Sequence, residues 1–101
     1  MLVAEKGETG ALFYGPYINV KPGKYVAIFD VTAEHSDQVA VTLDVVSSPN
    51  QKRYGLKLLR SSDKVQKIEF SINRKQIMEF RVFTSGHSRV IFKNLSIQRL
   101  N

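Results

Sequence analysis

Apolar and polar residues alternate along most of the chain. In VAVTLDVVS (Val39–Ser47), Val39, Val41, Leu43 and Val45 fall on one side of an extended backbone, and Ala40, Thr42, Asp44 and Val46 on the other. That period of two marks a half-buried strand, because successive side chains of a strand point to opposite faces. KIEFSI repeats it, with Ile68, Phe70 and Ile72 inward and Lys67, Glu69 and Ser71 outward. In MEFRVFT, Met78, Phe80 and Val82 face in while Glu79, Arg81 and Phe83 face out. Helical spacing fits none of these windows.

Turn chemistry falls between the runs. KPGK places Pro22 and Gly23 where a type II turn needs a fixed negative φ followed by a positive one. EHSDQ, SSPNQKR, SSDK and SGHS are the polar connections expected between short strands. In the last run the phase slips: Val90 and Phe92 are even-numbered, Leu95 and Ile97 odd, which predicts a bulge near Lys93 and Asn94. The spacing predicts about eight strands, near Leu12–Tyr14, Tyr17–Val20, Tyr25–Ala33, Val39–Ser47, Tyr54–Arg60, Val65–Ile72, Met78–Thr84 and Arg89–Leu100. Many short strands without helices argue for an all-β, antiparallel sandwich or barrel. The polar face of each strand then stays open to a ligand. Residues 1–10 (MLVAEKGETG) read as a loose N-terminal segment, and residues 11–101 as the domain.

Composition narrows the classes. A chain of 101 residues with 43% apolar residues and ten aromatics supports one globular core. Cysteine is absent, which removes disulfides and thiolate metal sites without fixing a compartment. No apolar run reaches membrane-helix length and no charged-then-apolar leader opens the chain, so no membrane span is expected and the expectation leans to the cytoplasm. The formal charge is +6, which draws anions, although the basic residues are scattered; the densest run is NQKRYGLK, Asn50–Lys57.

Enzymatic signatures are thin. His35 and His87 lie in polar loops with no metal-ligand neighbour at short spacing, and there is neither a phosphate-cradling Gly-rich loop nor a Gly-x-Ser-x-Gly turn. Asp44 and Glu69 are the best candidates for a carboxylate pair, each on the polar face of a strand. The expectation is a non-catalytic protein without a cofactor. A single-stranded nucleic acid reading has pieces of aromatic and basic surface in KRY (Lys52–Tyr54) and FRVF (Phe80–Phe83), but lacks the helix signal of an oligonucleotide-binding barrel.

The segment YGPYINVKPGKYVAIFDV, followed by VTLDVVS and EFRVFTSGHSRVIFKNLSI, resembles the jelly-roll, galactose-binding-like modules attached to bacterial glycosyltransferases and related polysaccharide-processing proteins. The resemblance spans about Gly10 to Leu100. It implies a jelly-roll β-sandwich and lectin-like binding of an oligosaccharide or polysaccharide, as part of or partner to an enzyme. Modules of this kind often hold a structural Ca²⁺ between first and last strands, which here would fall near Glu5 and Asn94; two oxygens are too few for that ion, and no metal is expected.

A sugar site wants flat rings beside fixed polar groups, because sugars present apolar C–H faces and hydroxyls. The residues expected on exposed faces are Tyr14, Tyr17 and Tyr54 for stacking, with Asp44, Arg53, Arg81 and the neighbouring Phe83 beside them. Each also has a structural explanation: Arg81 can pair across strands with Glu69 or Asp44, and one of Tyr14 and Tyr17 can staple the sandwich edge. Tyr25 is expected in the core. The positive charge makes an acidic polysaccharide the more attractive partner. The rival from another class is self-association or protein binding through the Phe83–Arg81 face.

Overall fold

A computed structural model of the chain describes residues 1–100. Eight strands form two antiparallel four-stranded sheets: β1 (Leu2–Ala4), β2 (Thr9–Val20), β3 (Gly23–Ala33), β4 (Val41–Ser48), β5 (Arg53–Leu59), β6 (Val65–Ile72), β7 (Gln76–Ser85) and β8 (Val90–Arg99). One sheet has the order β1-β8-β3-β6 and the other β2-β7-β4-β5. The architecture is a jelly-roll β-sandwich, one of the two alternatives that the alternation leaves open and the one that the resemblance implies. No helix among the described residues is long and apolar enough to cross a membrane.

The inward sets follow the alternation. Val41, Leu43 and Val45 of β4, Met78, Phe80 and Val82 of β7, and Ala27, Phe29 and Val31 of β3 are all fully buried. Phe70 of β6 meets Phe80 of β7 edge-on at 5.8 Å, which ties the two sheets together. Each large side chain sealed this way contributes roughly 1.5–3 kcal/mol through lost apolar exposure. Tyr25 belongs to this core: its ring stacks on Phe70 at 5.5 Å, and its hydroxyl donates to the Lys21 carbonyl at 2.6 Å. On one open side, Phe13 of β2 meets Phe92 of β8 at 4.6 Å. On the other, Lys57 Nζ of β5 donates to the Lys67 carbonyl of β6 at 3.4 Å.

Several boundaries differ from the sequence reading, each for a local reason. The two short runs expected around Gly15-Pro16 are one continuous strand, β2, which stays paired to β7 through register shifts at Ala11/Phe13 and Gly15/Ile18. The bulge expected in the last strand is present: Asp30 faces Asn94 and Val31 faces Phe92, so Lys93 is the extra residue. Gly23 has a positive φ of 153°, more extended than the roughly +80° of a type II turn, because it is already the first residue of β3 and pairs with Ile72. Leu2–Ala4, within the segment expected to be loose, pairs with Val90–Phe92 as β1. Glu5, just beyond β1, is bound to Arg89 at 3.0 Å, whereas Asn94 lies further along β8 opposite Asp30, so the two oxygens weighed for calcium do not meet. Asp44 and Glu69 project from different sheets, Glu69 on β6 opposite Val26, and make no carboxylate pair.

Candidate functional site

The outer face of the β2-β7-β4-β5 sheet gathers most of the residues singled out from sequence. Cross-strand register sets them in rows. Ala11, Phe83, Thr42 and Leu58 form one row; Tyr14, Arg81, Asp44 and Leu56 form the next; Glu79, Val46 and Arg53 form a third. Tyr17 joins that third row through its hydroxyl, which donates to Glu79 Oε2 at 3.3 Å.

Simple alternation would send Tyr14 and Tyr17 to opposite faces, since they stand three residues apart. The register shift between Gly15 and Ile18 inserts the extra residues that bring both to the same side. Tyr14 remains 64% exposed and Tyr17 60% exposed. An exposed ring on a sheet surface is individually ordinary, but two adjacent ones on a polar face form a platform.

Beside the platform sits a fixed ion pair. Arg81 Nε and Nη2 donate to the two oxygens of Asp44 at 2.8 and 2.6 Å, the forked geometry in which a guanidinium matches a carboxylate. Asp44 is only 1% exposed although it points outward, because its neighbours on β5 and β7 close over it. Arg81 Nη1 also donates to Gln51 Oε1 at 3.3 Å, and its guanidinium lies over the Phe83 ring at 5.0 Å. Hydrogen bonding to Asp44 pushes the Arg81 guanidinium above its ordinary value, against an opposing effect of burial. Arg53 Nη2 approaches Asp44 at 3.8 Å from the solvent side. Desolvation, reinforced by the charge and hydrogen bond of Glu79, pushes the Tyr17 phenol above its ordinary 10.0.

Tyr54 is placed elsewhere. The register shift between Val45/Val46 pairs Gly55 and Arg53 with β4 and leaves Tyr54 as the extra residue, half-buried against the core. Its hydroxyl accepts from Gln76 Nε2 at 2.8 Å, and Lys52 Nζ lies 5.3 Å from its ring centroid. Of the seven candidates, Tyr14, Tyr17, Asp44, Arg53, Arg81 and Phe83 therefore share one face, and Tyr54 does not. Two members of the face were missed as candidates. Glu79, 4% exposed, was legible in the same alternation that marked Arg81 and Phe83. Gln51 was not, because its place depends on a positive φ of 53° in the β4–β5 turn.

A groove of about 730 Å³ borders the face, where the edges of β2 and β8 part; Phe13, Tyr14, Pro16, Ile18 and Leu95 are among its lining residues. Tyr14 belongs to both surfaces. No group of three or more metal-ligating side chains occurs among the described residues.

No protein-family model matches the sequence, and no curated protein is detectably similar to it. Among solved structures, one described as "CBM4 structure and function" superposes with a TM-score of 0.62, covering 96% of this chain and 80% of that one at 9% identity. What the two share is the two-sheet jelly-roll fold. At 9% identity the likeness is one of backbone architecture, and the side chains of the face have to be judged on their own chemistry.

Proposed function

We propose that the chain is a non-catalytic, lectin-like module that binds carbohydrate on the outer face of the β2-β7-β4-β5 sheet. One observation carries the reading: two tyrosine rings, each more than half exposed, stand on one sheet face beside a bidentate Arg81–Asp44 pair held in place by Gln51 and Phe83. Rings of this kind stack on the apolar faces of sugars, and the exposed Gln51 and Arg53, set around the buried pair, offer polar groups to the hydroxyls. Two acids, Asp44 and Glu79, balance two arginines, Arg53 and Arg81, so the face itself suits a neutral, hydroxyl-rich ligand. The likeness to the carbohydrate-binding module supports the same conclusion at the level of scaffold. In this role the module keeps a polysaccharide-processing enzyme, as its parent chain or its partner, close to a polymer.

A glycan array followed by NMR titration tests the reading. Tyr14→Ala and Tyr17→Ala are each expected to weaken binding about tenfold, the equivalent of ~1.4 kcal/mol for a stacking ring, without lowering the melting temperature. A blank array together with unmoved amide resonances for β2, β4 and β7 would falsify it. A second reading has one observation in its favour: Leu56 and Leu58 are 45% and 57% exposed on β5, an edge strand of the same face. If they seat a second copy of the chain, sedimentation will show a dimer and the face will be closed to sugar.

A further inference from the structure

The positive charge is not spread over the molecule. The β2–β3, β4–β5 and β6–β7 turns and the end of β8 all lie at one end of the sandwich. Lys21 and Lys24 flank the first turn, Lys52 and Arg53 the second, Arg74 and Lys75 the third, and Arg99 closes β8; all are exposed. No aspartate or glutamate lies in these turns. Seven basic residues thus stand at this end, leaving eight against nine acids, a net of −1, for the rest of the chain. One pole accounts for the entire +6.

Asp44 offsets Arg53 from the sheet face at 3.8 Å, but the turns supply no acid of their own, and a cluster of mostly one sign repels itself, a cost that a counter-charged ligand relieves. The pole is also concave. Asn19, Ser48, Asn50, Arg74 and Lys75 help to line an open groove of about 580 Å³ between the β4–β5 and β6–β7 turns. Amides, a hydroxyl and cations suit a ligand that carries both hydroxyls and anionic groups. No aromatic ring lines the groove, so it lacks the stacking platform that single-stranded nucleic acid uses. Arg53 belongs both to the pole and to the tyrosine-bearing face, where it sits in the row of Val46 and Glu79, so one polymer can touch the two surfaces.

We propose that this basic end is a second binding surface, for an anionic polysaccharide bearing carboxylate or sulfate groups, continuous with the tyrosine-bearing face through Arg53. The location of the surface rests on charge and shape; the identification of the polyanion as a glycan rests on the carbohydrate reading above.

The test uses the full chain and two quadruple variants of equal charge change. One is Lys21→Gln, Lys52→Gln, Arg74→Gln and Lys75→Gln at the pole. The other is Lys6→Gln, Arg60→Gln, Lys64→Gln and Lys67→Gln away from it. The probes are polygalacturonate, heparin, a neutral glycan panel, an oligo-dT single strand and phosphatidylserine vesicles, at about 0.05 and 0.5 M salt. At the lower salt, where screening extends only to ~15 Å or less, the wild type is expected to bind polygalacturonate or heparin. The pole variant is expected to bind at least about tenfold more weakly, and the control variant to lose no more than about threefold. Neutral-glycan binding is expected to be the same in all three, with melting temperatures confirming that each folds.

Absence of binding to either anionic polysaccharide at low salt overturns the proposal, while the neutral panel still decides the sheet face separately. Equal losses in the two variants also overturn it, because the effect is then one of overall charge. Tighter binding to oligo-dT or to vesicles than to both polysaccharides overturns the glycan assignment. A blank neutral panel with pole-dependent heparin or polygalacturonate binding upholds this proposal and removes the sheet-face reading.

Discussion

The Arg81–Asp44 pair offers the sharpest test of the energetics. Asp44 is sealed at 1% side-chain exposure, while Arg81 keeps 16%. Removing one partner of a buried pair costs about 3–5 kcal/mol, most of it the penalty of stranding the other charge. The two removals are therefore unequal. Arg81→Gln strands a carboxylate that cannot reach water and has only Arg53, 3.8 Å away, in support; about 2–4 kcal/mol is expected. Asp44→Asn leaves a guanidinium that still has Gln51 and the face of Phe83, and the new amide oxygen can accept one of its hydrogen bonds; about 1–2 kcal/mol is expected. The double replacement Asp44→Val with Arg81→Met removes both charges and is expected to lie within ~1 kcal/mol of wild type. Urea unfolding of the four proteins measures this directly, and for a domain of this size each kcal/mol corresponds to about 4 °C in melting temperature. The reasoning is refuted if Arg81→Gln falls within ~0.5 kcal/mol of wild type, or if the double variant is as unstable as the worse single one. A stable double variant that no longer binds glycan would show that the pair serves recognition rather than folding.

Two further outcomes can be checked on the same material. The Tyr17 phenol should titrate above 10.0 by NMR, and in Glu79→Gln its midpoint should move down but not fully back, because desolvation persists when the carboxylate's charge and hydrogen bond are lost. Since the fold favours the protonated phenol, the associated stability is complete below the unfolded value and fades as pH rises through the folded one, so alkaline stability should fall in that window and not in acid. Gly55→Ala would set a methyl against the Ile68 Cγ2 branch, which is buried and cannot swing away; a loss of about 1–3 kcal/mol in thermal unfolding is expected, and an unchanged melting temperature would show that β5 and β6 are not packed as closely as they stand here.

Much of the sandwich was legible because one face of each strand is buried, and burial makes a period of two visible. β6 was bounded correctly at Val65–Ile72, where inward Ile68, Phe70 and Ile72 alternate with charged and polar residues. The bulge at Lys93 was legible for the same reason, as a change of phase. What alternation could not supply was depth on the outer face. Asp44, Val46 and Glu79 point outward and are nonetheless 1%, 1% and 4% exposed, because long side chains from adjoining strands fold over them. The register of neighbours decides that, and register between strands distant in the chain leaves no local signal. Tyr54 shows the same limit: its number alone does not reveal that a shift at Val45/Val46 turns it toward the core. The polarity of charge was equally hidden, since it emerges only when the topology brings three separate turns to one end.

The distribution of rings bears on whether the outer face is more than a solvated surface. Of the ten aromatic residues, Phe13, Tyr25, Phe29, Tyr54, Phe70, Phe80 and Phe92 are core residues or pack against the core. The other three, Tyr14, Tyr17 and Phe83, lie on the same outer face of the same sheet. The opposite outer face, where β3, β6 and β8 present residues such as Val26, Ile28, Lys67, Glu69, Ser96 and Gln98, carries none. Solubility gives no reason for that asymmetry, because an exposed ring is equally unwelcome on either side. Nor does stability, since a buried ion pair like Asp44–Arg81 gives little net gain over apolar residues of similar volume. Both features, neutral or costly for folding and confined to one surface, acquire a common reason when that surface has to hold a ligand with apolar patches and hydroxyls in a fixed pose.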